Sequence, residues 1–371
     1  MKRIGLSLLV CITIALSVSV PSFGQEQNTQ VQPPVKFRFV VLTPHFDPNA
    51  PLSPSPPLQQ WNGSFTFNGT PYPYVMVGVS PYTTNASATI PTYIIPIQIL
   101  ITGGYDFNPL TRGPFGALAR TLLSPIFDTT TTYIQGGVDV GTTQYVDAYQ
   151  RANFWSVVGT TNPNNHMYLG NADGTGFAPT VLPLQTLNVP PAFGTVGDIF
   201  PGHLAGLVDI NYFDGELQAI ISSFSQIQPN AFPIAIVNDV YLTEGGGCCI
   251  GGYHNAFGNP ANPQTYAMFD YVDFPGDFSQ DVSALSHEVA EWADDPLTNG
   301  FNNTPCGILE VGDPLEGTMN YGGYPYPLHE FTYNLQDLVF LRYFGAPADT
   351  SVNDWWSFQD YPFKVLCQNG S

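Results

Sequence analysis

The sequence predicts an α+β fold: a β-rich amino-terminal region packed on a second half built around one helix that carries ligand-type side chains. Three observations predict it. Charged residues make up only 10% of the chain, against a globular norm of about 25%, while glycine, proline and aromatic residues abound, as in turn-rich β structure. The first third holds β-branched and aromatic runs bounded by Pro, Gly, Asn and Ser, which is strand punctuation. Late in the chain, residues 278–294 show an apolar stripe at helical spacing, with His287, Glu288 and Glu291 off that stripe.

At the amino terminus, Lys2-Arg3, an apolar run over residues 6–20 and Pro21-Ser22-Phe23-Gly24-Gln25 read as a secretory signal cleaved after Gly24. The run is shorter than the roughly 20 residues a membrane-spanning helix needs, and no later segment is long enough. Residues 1–24 are therefore expected to be removed and residues 25–36 to form a polar flexible leader. The β-rich region with short helices is expected over residues 37–200 and the second half over residues 201–371, with one continuous domain as the alternative. Oligomeric state is open. A formal charge of -20 would repel phosphate backbones, so nucleic acid is not an expected partner.

Strands are expected over residues 37–42, 63–67, 74–78 and 92–101, the last placed at an edge or bulged because Pro96 lacks an N–H. Helices are expected near residues 115–123, 143–154 and 214–226. Strands follow over 232–242 and 266–271, separated by a Gly- and Cys-rich turn over 245–252, and a late helix is read over 331–344. Asp147 and Arg151, four apart, read as a helical salt bridge, and Trp355-Trp356 as core. His45, His166 and His203 stand alone in loop contexts and read as surface or hydrogen-bonded histidines. In an oxidising compartment Cys248, Cys249, Cys306 and Cys367 could form two disulfides. Because neighbouring Cα atoms hold a disulfide poorly, Cys248 and Cys249 are expected to pair outward to Cys306 and Cys367.

The informative stretch is His287-Glu288-Val289-Ala290-Glu291. Asp277 with Gln280 resembles a capping box and Pro296 a stop, which predicts a helix over 278–294. At about 100° per residue, Val282, Leu285, Val289 and Trp292 share the packing face, and His287 with Glu291 point away from it. Residues four apart stand one above the other, so an imidazole nitrogen and a carboxylate oxygen can reach one Zn2+ at about 2.0–2.2 Å. Glu288, one position round, is placed to act as general base. A third ligand must come from elsewhere: Glu310 is the first choice, with Asp313, His254 and His329 as the others. Tyr253 is a candidate hydrogen-bond donor to a substrate carbonyl. A glycosidase reading is weaker, because Glu288 and Glu291 point the same way rather than across a bond.

With Asp295-Pro296, Glu310-Val311-Gly312-Asp313 and the Tyr253-His254 pair, residues 209–313 resemble the phosphate-induced protein/EXORDIUM family and its bacterial relatives. The resemblance implies a secreted, zincin-like protein in which His287, Glu291 and one of Glu310 or Asp313 match the family's metal positions, with one Zn2+ per chain. The family often has a cysteine after the Glu-x-x-Asp element; here Cys306 precedes it. The function expected is a zinc-dependent metallopeptidase acting on peptide or protein, with cell-wall material as a further partner. The alternative is a non-catalytic extracellular binding or cell-wall-associated module with a structural or vestigial metal site. One histidine with two carboxylates is a more anionic ligand set than two histidines, so weak activity or a harder metal is expected.

Overall fold

The computed structural model describes residues 37–111, 116–298, 309–313, 323–348 and 357–358. The signal and leader, Cys306, Cys367 and Trp355-Trp356 lie outside the described residues.

The chain is mixed α+β, rich in sheet and poor in helix. Among the described residues, the main sheet has nine strands. Its principal path is made by β1 (His45–Phe46), β2 (Ala88–Ile101), β3 (Gln185–Val189), β4 (Phe232–Asn238), β5 (Gly252–Gly258) and β6 (Gln264–Tyr271). Their order across the sheet is β1-β5-β6-β4-β2-β3. β4 runs parallel to both β2 and β6, and β5 runs antiparallel to β6. The pairing of β2 with β4 joins residues from before and after position 200 in one sheet, with Ile94 opposite Ile234.

Strand alternation divides the interior in two. Phe232, Ile234, Ile236, Ala267 and Phe269 face one core, and Ala235, Val237, Tyr253, Tyr266 and Met268 face the other. Of the helices that matter here, α1 (Tyr145–Asn153) and α3 (Ser283–Asp294) belong to the first core, and α2 (Ile210–Ser223) to the second. All twelve residues of α3 are buried. Its Trp292 stacks on Phe232 with ring centroids 3.7 Å apart and donates from Nε1 to Thr265 Oγ1 at 3.1 Å. Tyr149 of α1 donates to Asp294 at 2.9 Å, and the Gln336 N–H donates to Ser286 Oγ at 2.7 Å. The helix is thus held by sheet, helix and hairpin at once.

Several expectations are corrected. β2 is an interior strand with partners along both edges, not an edge. Pro96 is tolerated because the β4 register ends opposite it and the β3 register begins at Ile97. The segment over 37–42 makes only an isolated bridge, Arg38 to Ile250. The late helix is instead a strand, Phe331–Gln336, followed by a 3-10 turn, Arg342–Phe344, because the strand finds a partner in Gly323–Leu328. Arg151 does not pair with Asp147: it donates to the carbonyls of Val140, Pro163 and Asn165, while Asp147 binds His166 and Thr143. Cys248 and Cys249 do not pair outward: they are bonded to each other, across a cis peptide bond with Cα atoms 3.1 Å apart. They occupy the strand Gly247–Ile250, reached from Val240–Glu244 through a Gly245-Gly246 turn with both glycines at positive φ.

Candidate metal centre

α3 begins at Ser283, five residues later than the pattern predicts. Asp277 does accept from the Ser279 N–H and Gln280 from the Gly276 N–H, at 2.7 Å each. Those bonds close a turn, not a helix, because Asp281 adopts a left-handed φ of 46°. Beyond it, His287 and Glu291 stand one turn apart as the spacing requires, with His287 Nε2 3.0 Å from Glu291 Oε1.

Two elements bring further groups to the helix. The segment 309–313 is anchored by the Val339 N–H donating to the Val311 carbonyl at 2.9 Å. It places Asp313 Oδ1 3.6 Å from His287 Nε2, and its Gly312 N–H donates to Glu291 Oε1 at 3.3 Å. Glu310 is buried beside Glu291, with which its carboxyl shares a hydrogen bond. Strand β5 supplies the second side: Gly252 and His254, two apart, face α3. His254 Nδ1 is 3.2 Å from Glu288 Oε2 and 4.0 Å from Glu291 Oε2, while Nε2 is 3.1 Å from the Asp295 carbonyl oxygen.

The ligand-type atoms therefore form two groups that share Glu291. One is His287, Glu291 and Asp313; the other is His254, Glu288 and Glu291, and in each the atoms lie within 4.8 Å of one another. His254, His287, Glu288 and Glu291 are buried, and Asp313 is exposed. Burial, followed by the nearby His287, pulls the His254 pKa down to about 3, against the raising effect of its hydrogen bond to the Asp295 carbonyl. Burial, then the Glu291 charge, holds the Glu310 carboxyl well above the usual carboxylate range. Of the four described arginines, Arg38 pairs with Glu244, Arg120 with Asp273 and Arg151 with backbone carbonyls, and Arg342 lies in the 3-10 turn beside Tyr343.

The residues fit a divalent ion. Ligands at about 2.0–2.2 Å in a tetrahedral sphere stand roughly 3.2–3.6 Å from one another, and the 3.0 and 3.6 Å separations around His287 Nε2 bracket that range. Nitrogen from imidazole and oxygen from carboxylate are donors zinc accepts.

Of the four expected metal positions, His287, Glu291 and Asp313 are brought together, whereas Glu310, the first choice for third ligand, lies beside Glu291 but in neither group, and Glu288 groups instead with His254 and Glu291. Tyr253 is not part of the centre: alternation turns it to the opposite face of the sheet, where it is buried and donates to Asp214 Oδ1 at 2.9 Å beside Tyr266. His329 is also elsewhere, in a hairpin turn, 3.0 Å from Asp128 Oδ2. His254 enters the centre beside Glu288 and Glu291.

Three contributors went unread. Phe39 stacks on the His287 ring with centroids 3.8 Å apart. A Cβ on Gly312 would lie 2.1 Å from His287 Nδ1, and one on Gly252 would lie 2.9 Å from Glu288 Oε1. The glycines of Gly251-Gly252-Tyr253-His254 and Val311-Gly312-Asp313 were the available signal, since a lone glycine can mark close backbone approach. No family model, no curated protein and no solved structure matches this chain.

Proposed function

We propose that this chain is an exported, zinc-dependent hydrolase of zincin-like build that cleaves peptide bonds. One ion would be held by His287, Glu291 and Asp313, with Glu310 beside it. The observation that carries the reading is the convergence of those three donors, two of them buried and Asp313 exposed. A bound zinc ion supplies Lewis acidity toward a scissile carbonyl. The chain's own residues do the rest. Phe39 and Gly312 hold the His287 ring between them. Glu288, one residue on, takes a proton from the attacking water and returns it to the leaving amine. His254 and Gly252 lie against the Glu288 carboxylate from the β5 side. Asp313 marks the approach from solvent.

The resemblance to the phosphate-induced protein/EXORDIUM family supports the same reading, and the amino-terminal signal supports export. Among the described residues no helix is long and apolar enough to cross a membrane. A second reading is favoured by the burial of His254, His287, Glu288 and Glu291: an extracellular binding module in which the ion is structural.

Plasma mass spectrometry on the exported protein and a peptide library test both. Zinc is expected in the wild type, with turnover, and the His287 ion is expected to be lost from His287→Ala and Glu291→Ala protein. Glu288→Gln is expected to abolish turnover while the His287 ion stays. Bound zinc without turnover would favour the structural module; a wild type that binds no ion would sink both readings.

A further inference from the structure

We infer that the centre takes a second divalent cation, in a seat made by His254 Nδ1, Glu288 and the Oε2 oxygen of Glu291, so that the Glu291 carboxylate bridges two ions. The inference rests on the metal-binding part of that reading alone, since a Glu288 that ligates the second ion is not also the free base.

The two oxygens of Glu291 serve different histidines. Oε1 lies 3.0 Å from His287 Nε2, and Oε2 lies 4.0 Å from His254 Nδ1. A carboxylate so directed matches a bridge between ions about 3.5–4 Å apart.

The orientation of His254 is the second observation. Its Nε2 is 3.1 Å from the Asp295 carbonyl oxygen, which can only accept, so Nε2 carries the hydrogen. Nδ1 is then turned toward Glu288 Oε2, 3.2 Å away in a buried setting, and with Glu291 the ligand atoms lie within 4.8 Å of one another, as donors to one ion do. A backbone carbonyl on the far nitrogen is the usual outer partner of a metal-bound histidine.

The test is a metal count on exported protein saturated with Zn2+ and then desalted. Two equivalents are expected in the wild type and one in each of His254→Ala, Glu288→Gln and His287→Ala. A wild type with one equivalent, undiminished in His254→Ala, overturns the second seat, and so does Glu288→Gln protein that keeps both ions. Two equivalents with no peptide turnover would uphold the seat while removing the peptidase reading. Should His254→Ala fail to fold by circular dichroism, the wild type saturated with Mn2+ answers instead. An exchange-coupled electron paramagnetic resonance spectrum is expected, and the spectrum of isolated Mn2+ overturns the pair.

Discussion

Gly312 stands where any larger residue would displace the His287 ring, since a Cβ there would lie 2.1 Å from Nδ1. Gly312→Ala is therefore expected to release the His287 ion, read as the loss of one equivalent of zinc, with the circular dichroism spectrum of the fold retained. Tyr253 offers the opposite expectation. Its hydroxyl serves Asp214 on the far face of the sheet, so Tyr253→Phe should leave metal content and any turnover unchanged. It should cost about 1 kcal/mol of stability in urea unfolding. A large fall in turnover with stability intact would return Tyr253 to the site. The contrast shows what was legible at this scale. The grouping of His287, Glu291 and Asp313 was readable because chemistry demands those residue types at that spacing, whereas the choice of Glu310 over Asp313 was not, since both are carboxylates and only the turn of the chain at Gly312 separates them. Phe39 and Gly252 act through shape, and nothing in a single residue's chemistry announces shape.

α3 takes its starting point from Asp281, whose left-handed backbone delays the helix to Ser283. Burial pushes the Asp281 carboxyl up to about 7, although hydrogen bonds from Asn334 and the Val282 N–H pull it down. The unfolded chain has this group near 3.9, so the native state binds the proton more tightly. Its contribution to stability is full below about pH 4 and is lost as pH rises through about 7. Asp281→Asn removes that titration, and the gap in urea midpoint between wild type and variant should change across this window; a constant gap would refute the assignment. Within the same helix, Trp292→Ala should cost about 3–5 kcal/mol, because the ring fills the space against Phe232 and ties Thr265. The strands inside 63–67, 74–78 and 92–101 were legible from their β-branched and aromatic content. β5 was not, since Gly252, His254 and Asn255 have little strand preference and are held there by pairing with β6. Residues 331–336 misled for the converse reason: Leu335, Leu338 and Val339 mimic helical spacing, while a partner strand decides the outcome.

Taken whole, the chain carries a formal charge of -20, with several buried carboxylates gathered at one place. An ion that binds only the folded state stabilises it by about 4 kcal/mol at a thousandfold excess over its dissociation constant. Added Zn2+ should accordingly raise the melting temperature by several degrees, and chelator should reverse the rise; an unchanged melting curve would contradict a metal centre. The sheet has a consequence of another kind. Its middle joins Ile94 to Ile234 in parallel, and the centre draws on residues as distant as Phe39, which stacks on His287, and Asp313. Such pairings between remote segments close slowly, because loop entropy is lost before contacts repay it. The ligands cannot converge until nearly the whole chain has left the ribosome and the central strands have met. For the exported, metal-binding chain proposed above, metal acquisition would then be a late event, governed by the cation supply of the compartment where folding finishes rather than of the one where synthesis begins.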